Sequence, residues 1–216
     1  MKSLVIFDLD GTLLNTIDDL GAATNHALEL HSQPTHPIEA YERMVGNGVR
    51  KLIERALPPE YANDAYIDRL LVDFKQYYNE HMADATRPFP GIPELLKTLT
   101  SRGIAVAVAS NKYEGAVQML VKKYFPDIPF AAVCGQIEGF PTKPDPSIVF
   151  RVLTEHPTPK SEVLYVGDSG VDMETARRAC VDSVGVTWGF RPRRELVNAL
   201  ACTIVTEPAE ILQLID

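Results

Sequence analysis

The sequence predicts an α/β protein: a doubly wound, mainly parallel sheet with an inserted α-helical domain. Three observations predict it. From about residue 91 onward, short apolar runs alternate with amphipathic segments at helical spacing. The run SLVIFDLD near the start is apolar at consecutive positions, as expected for a strand covered on both faces. Between about residues 17 and 84 the periodicity is helical throughout, with no convincing buried strand.

SLVIFDLD is the first strand. After it, IDDLGAATNHALEL, VRKLIERAL and AYIDRLLVDFKQYYNEHM each carry apolar residues at i, i+3 and i+4 spacing and read as helices. So long a strand-free interruption is awkward inside a doubly wound sheet. The chain is therefore divided into a core, residues 1–16 and 85–216, and a helical cap, residues 17–84, with ATRPFPG as a stiff re-entry. GIPELLKTLTSRG is a helix with Pro93 in its first turn and Gly103 as its stop. IAVAVAS is the next strand, followed by a helix from about Tyr113 to Tyr124. FAAVCG, a helix around Pro146 to Glu155, the strand EVLYVGD and the helix GVDMETARRAC continue the alternation. DSVGVTWG and CTIV are the last strands, and EPAEILQLI is a closing helix with Thr206 as its N-cap.

Composition narrows the function classes. A formal net charge of -8 argues against broad nucleic-acid binding, which draws on clustered Lys and Arg. Leu4 to Phe7 is too short an apolar run for a membrane span or a signal peptide. Cys134, Cys180 and Cys202 form no CxxC pair, so reduced thiols and a cytoplasmic setting are expected. His26, His31, His36, His81 and His156 show no metal-ligand spacing.

The chemistry gathers at strand ends, where open parallel sheets bind ligands. The first strand delivers Asp8 and Asp10, two residues apart and so on one face if extended. Two such charges about 4 Å apart repel by roughly 4 kcal/mol at an effective dielectric of 20, so the spacing calls for a cation, a shared proton or a task. VASNK brings Ser110 and Asn111, PTKPDP brings Lys143, and YVGDSGVDM brings Asp168, with Asp172 one helical turn later. Carboxylates, a hydroxyl, an amide and a lysine suit phosphoryl transfer through a carboxylate. Magnesium commonly takes one or two carboxylates plus substrate phosphate, and Asp8 and Asp168 could supply them. Lys143 and Ser110 would hold phosphoryl oxygens, with backbone N–H groups after Asp10 adding a small anion nest. Thr12 and Asn111 are further phosphate contacts, Asn111 chiefly through its backbone N–H. Plainer readings stand beside these: a helix N-cap for Ser110, a first-turn helix acid for Asp172, a turn hydrogen bond for Thr12.

The order DLDGT, SN, K followed by P, then GDSGVD resembles the haloacid dehalogenase-like superfamily of phosphatases, and the resemblance covers essentially the whole chain. It implies that Asp8 is the nucleophile and Asp10 the general acid/base. It implies magnesium held by the side chains of Asp8 and Asp168 and the backbone carbonyl of Asp10. Ser110 and Lys143 would bind the transferring group, with Asp172 behind them orienting Lys143 or a metal-bound water. Dehalogenases of the superfamily lack the second acid, so the presence of Asp10 disfavours carbon–halogen cleavage. VGNGVRKLIERAL and GVTWGFRP resemble the phosphoglycolate phosphatase branch, with Cys180 where that branch often has Gly. Gly46–Asn47–Gly48 is expected to close over the site, with Asn47 and Arg50 (or Lys51) as cap contacts to the substrate. Arg191, Arg193 and Arg194 read as a solvated helix start. The expected substrate is a small phosphorylated metabolite, and the protein a monomer or homodimer with neither nucleic acid nor membrane as partner. Rival readings are a phosphosugar mutase or inorganic pyrophosphatase on the same core, and a non-enzymatic phospho-acceptor switch.

Overall fold

The structure is a computed structural model that describes residues 1–215. The chain divides into two compact units: unit 1 comprises Met1–Asn15 and Pro88–Asp216, and unit 2 is Thr16–Arg87.

Unit 1 is built on six strands: β1 (Leu4–Phe7), β2 (Ala105–Tyr113), β3 (Ala132–Gln136), β4 (Val163–Gly167), β5 (Asp182–Val186) and β6 (Thr203–Val205). They lie in the order β3-β2-β1-β4-β5-β6, and every pairing is parallel. The fold class expected from the alternation is the one observed. β1 is central: Leu4 pairs with Ala105 on one side and Val163 on the other. Both of its faces are covered, since Leu4, Val5, Ile6 and Phe7 are all fully buried. Each such side chain contributes roughly 1.5–3 kcal/mol on burial, which lets a short strand carry acids at its end without drifting. On one face Leu4 and Ile6 join Ala107, Ala109, Val163 and Tyr165 in a cluster closed by Ile148, Val149, Val152, Ala176 and Ala179.

The helices of unit 2 are α1 (Ile17–Leu30), α2 (Val49–Ala56) and α3 (Asp64–His81), with 3-10 turns at Ile38–Arg43 and Pro59–Tyr61. Leu20, Ala23, Ala27, Leu52, Ile53, Leu70, Phe74 and Tyr78 form their buried faces. Asp19, at the start of α1, ties the unit's first residues to its last: its carboxylate accepts from Ala85 N (2.9 Å) and Thr86 N (2.8 Å).

The helices of unit 1 are α4 (Ile92–Ser101), α5 (Glu114–Tyr124), α6 (Ser147–Glu155), α7 (Gly170–Ala179) and α8 (Arg193–Asn198). Three local features differ from the sequence reading or refine it. β2 runs on to Tyr113, with its register against β3 shifting between Ala109 and Tyr113, and the irregular stretch holds Ser110, Asn111 and Lys112. The closing segment Pro208–Leu214 is a 3-10 helix capped by Glu207, because Pro208 takes its first position. Thr206 is therefore not the N-cap; its Oγ1 instead donates to Glu210 Oε1 (2.8 Å). Cys180 ends α7 in the left-handed conformation (φ 59°), the region where glycine is at ease.

Candidate active site

Asp8 follows β1 directly, and the turn after it is held by Leu13 N and Leu14 N donating to Leu9 O (both 3.0 Å). Gly11 in this turn has φ +83°, and a Cβ there would sit 2.4 Å from Asp168 Oδ2. A Cβ on Gly189, from another segment, would likewise lie 2.3 Å from Asp168 Cβ. The DGT turn thus presses on the acid at the end of β4, and only glycine allows it. Gly11→Ala should therefore lower the melting temperature, because it adds left-handed strain of about 1–2 kcal/mol to a steric overlap. Wild-type melting in that variant would contradict the packing described.

Asp8, Asp168 and Asp172 are all buried, and one carboxylate oxygen from each lies within 4.8 Å of the others. Lys143 is set among them. Its Nζ is 2.9 Å from Asp8 Oδ1 and 2.8 Å from Asp172 Oδ1, and it donates to Ala109 O (3.0 Å) and Tyr165 Oη (3.2 Å). Asp172 is anchored at the N-terminus of α7, where its Oδ2 accepts from Ser169 N (3.1 Å) and Ser169 Oγ (2.6 Å).

Burial pushes the Asp8 carboxyl up to about 7; the Lys143 ammonium opposes this, and the Asp172 and Asp10 carboxylates add to it. Burial likewise raises Asp168 well above the carboxylate range, reinforced by Asp172 and Asp8 and eased by Phe190 N–H and Arg191. Burial alone would lower Lys143, but Asp172 and Asp8 outweigh it and leave the ammonium raised well above its ordinary value. A carboxyl raised in the fold stabilises the fold below its unfolded value of 3.8 and loses that contribution as the pH rises through about 7. Protein stripped of divalent cations by a chelator should therefore melt lower at about pH 8 than at about pH 5, and Asp8→Asn should shrink that difference. A slope identical in the two proteins would contradict the assignment.

The acids of this cluster outnumber its lysine, three to one, and every donor is oxygen. With its acids ionised, such an all-oxygen setting would carry two negative charges beyond the lysine's, and a hard divalent cation of the magnesium type would balance them.

The remaining expected residues fall out as follows. Ser110 is buried beside the cluster's strand ends and its Oγ accepts from Lys112 N (3.2 Å). Asn111, expected to act chiefly through its backbone N–H, spends its side chain on Lys143: Oδ1 accepts from Lys143 N (2.7 Å) and Nδ2 donates to Lys143 O (3.1 Å). Its amide clamps the backbone of the lysine 32 residues away rather than facing outward. Thr12 is fully buried, its carbonyl accepts from Trp188 Nε1 (3.0 Å), and its Oγ1 has no hydrogen-bond partner among the described residues. Such an orphaned hydroxyl costs about 1–3 kcal/mol unless a ligand or water satisfies it. In unit 2, Arg50 pairs with Asp64 (2.7 Å) and with Asp68, and Asn47 Oδ1 accepts from Arg55 (2.7 Å), so both side chains are engaged within that unit.

Two contributors were not expected. Phe190 N donates to Asp168 Oδ2 (2.7 Å), bringing the segment after β5 into the site. Arg191 follows it with a side chain only 13% exposed, near Glu195 (3.7 Å), so it is not part of a solvated helix start, whereas Arg193 and Arg194 are exposed. Lys112 is the other: its Nζ lies 2.9 and 3.0 Å from the two carboxylate oxygens of Asp10.

Comparison with known proteins agrees with this geometry. The profile of the haloacid dehalogenase-like hydrolases matches residues 5–186. The phosphoglycolate phosphatase of Agrobacterium fabrum is 36% identical over 193 residues, spanning 88% of this chain and 82% of that protein. The phosphoglycolate phosphatase of Mesorhizobium japonicum is 32% identical over 194 residues, 89% of this chain and 86% of its own length. Among solved structures, one from Lactobacillus delbrueckii subsp. bulgaricus, provisionally described as a phosphoglycolate phosphatase, superposes with a TM-score of 0.93 at 33% identity, covering 100% of this chain and 99% of that one.

Proposed function

The chain belongs to the haloacid dehalogenase-like hydrolases and is a phosphatase of that family, and from this premise we propose that it hydrolyses a small phosphate monoester of the phosphoglycolate kind through an aspartyl-phosphate on Asp8. The observation that carries the proposal is the convergence of Asp8 and Asp168, from the ends of separate strands, with Asp172 of α7 and Lys143.

In the first step an Asp8 carboxylate oxygen attacks phosphorus and the bond from phosphorus to the ester oxygen breaks. Asp10 gives a proton to the departing alkoxide. In the second step Asp10 takes a proton from water as that water attacks phosphorus, and the bond from phosphorus to Asp8 breaks, releasing phosphate and restoring the carboxylate. Lys143, already 2.9 Å from Asp8 Oδ1, is placed to follow a phosphoryl oxygen as charge moves onto it. Ser110 Oγ and the orphaned Thr12 hydroxyl supply further donors. Asn111 and Asp172 hold Lys143 by its backbone and its ammonium respectively. Magnesium, bound by the Asp8 and Asp168 side chains and the Asp10 carbonyl, would offset the repulsion between nucleophile and phosphate. The helical insert serves as the cap that admits the ester and excludes bulk water, and the enzyme works in the cytoplasm.

The test is a magnesium-dependent phosphate-release screen across phosphoglycolate, pyrophosphate, nucleotides and hexose phosphates. Phosphoglycolate should lead the panel and a chelator should abolish release. No release from any ester, or a sugar phosphate rearranged without free phosphate, would end this reading.

A further inference from the structure

Lys112 stands on the end of β2, and its ammonium reaches across to the neighbouring strand end to bridge both oxygens of Asp10. The pair is well shielded: the lysine side chain is 3% exposed and the aspartate side chain 12%. An ammonium almost equidistant from both oxygens holds the head of the carboxylate in place against the end of β2.

The backbone is arranged to put the lysine there. Lys112 lies in the stretch where the register of β2 against β3 shifts, and such irregularities re-aim side chains beside active sites. The neighbouring strand makes room with Gly135, where a Cβ would lie 2.8 Å from Lys112 O and 2.5 Å from Glu114 Cα. Lys112 N also donates to Ser110 Oγ, tying the lysine's backbone to the hydroxyl two residues before it. Fold stability gives little reason for the pair, because taking an ammonium and a carboxylate out of water costs much of what their attraction returns.

We propose that Lys112 is a positioning residue for Asp10, setting the direction from which that carboxyl group meets the ester oxygen. It thereby determines how well the enzyme handles esters whose leaving group departs only with a proton. The proposal rests on the reading of Asp10 as acid and base in the preceding subsection.

The consequence depends on the leaving group. An alkoxide, as from phosphoglycolate, needs its proton in the first step. The anion from p-nitrophenyl phosphate leaves without one. With magnesium present, Lys112→Met should lower kcat/KM on phosphoglycolate about 10²-fold, the scale of a lost acid–base contribution, while p-nitrophenyl phosphate loses less than about tenfold. Lys112→Arg, which keeps a cation against the carboxylate, should recover part of the alkyl activity. In an Asp10→Asn background, Lys112→Met should cost nothing further, because a residue acting through Asp10 has nothing left to position. This double variant also removes the unpaired carboxylate that could unfold the single one, so it decides the matter if Lys112→Met does not fold. Equal losses on both esters, no loss on either, or an additional loss in the Asp10→Asn background would each overturn the proposal. Failure of the functional reading shows itself separately, in wild-type protein that releases phosphate from neither ester, and it overturns both.

Discussion

Asp8→Asn lowers turnover of every phosphate ester by at least about 10³-fold, because the amide keeps the shape of the nucleophile and loses its lone-pair donor character. The fold survives the change. Asp8 is buried beside two further carboxylates, and burial together with those neighbours already raises its carboxyl to about 7. A neutral amide relieves that repulsion, so metal-free Asp8→Asn should melt no lower than wild type at neutral pH. The check is steady-state phosphate release alongside a thermal melt in chelator. Activity within tenfold of wild type would remove Asp8 from the chemistry.

Lys143→Met produces the second large effect, and it acts on stability and activity together. The ammonium is only 1% exposed and is shared among Asp8, Asp172, Ala109 O and Tyr165 Oη. Methionine fills the space of the aliphatic stem, so packing is largely kept and the charge is what is lost. Taking one partner from a buried pair costs about 3–5 kcal/mol, since the other charge stays behind. For a chain of this size that corresponds to a fall in melting temperature of roughly 6–20 °C. Acid should restore part of the loss, because the stranded carboxylates then take up protons. Turnover should drop about 10²–10³-fold even where the variant is folded, the scale of removing one donor from a developing oxyanion. A variant that melts and turns over like wild type would show that the ammonium neither balances the acids nor serves the phosphoryl group.

Much of this was legible in the sequence for a physical reason. Strands covered on both faces show themselves as unbroken apolar runs, and in a parallel sheet their carboxyl ends must face one side. Asp8, Ser110 and Asp168 fall just after such runs, and Lys143 stands in the loop that follows the next one, so a linear reading could gather them at one end of the sheet. Lys112 was beyond that reading. Its aim depends on a register shift in β2 and on the space left by Gly135, and neither leaves a periodic signal. The clamp of the Asn111 amide on the backbone of Lys143 was also beyond that reading, because it joins residues 32 apart in sequence. Arg191 looked solvated because two further arginines follow it closely, yet it is covered beside Glu195, just past the Phe190 N–H that meets Asp168. Arg50, expected to meet a substrate anion, also makes exposed ion pairs with Asp64 and Asp68, one turn apart on α3, which sequence spacing does not reveal. The last helix was assigned with Thr206 as its cap, and a helical reading of seven residues does not separate an α-helix from the 3-10 helix that begins one residue later.

The central claim is that a phosphoryl group passes through Asp8. It is tested by mixing enzyme, magnesium and phosphoglycolate, quenching in acid during the first turnover, and treating the protein with borohydride. An acyl phosphate is reduced by borohydride, and an ordinary carboxylate is not. Homoserine should appear at position 8, at no other aspartate, and not in Asp8→Asn. Phosphate released at the wild-type rate with Asp8 unmodified throughout, or the label found on another residue, would contradict the account.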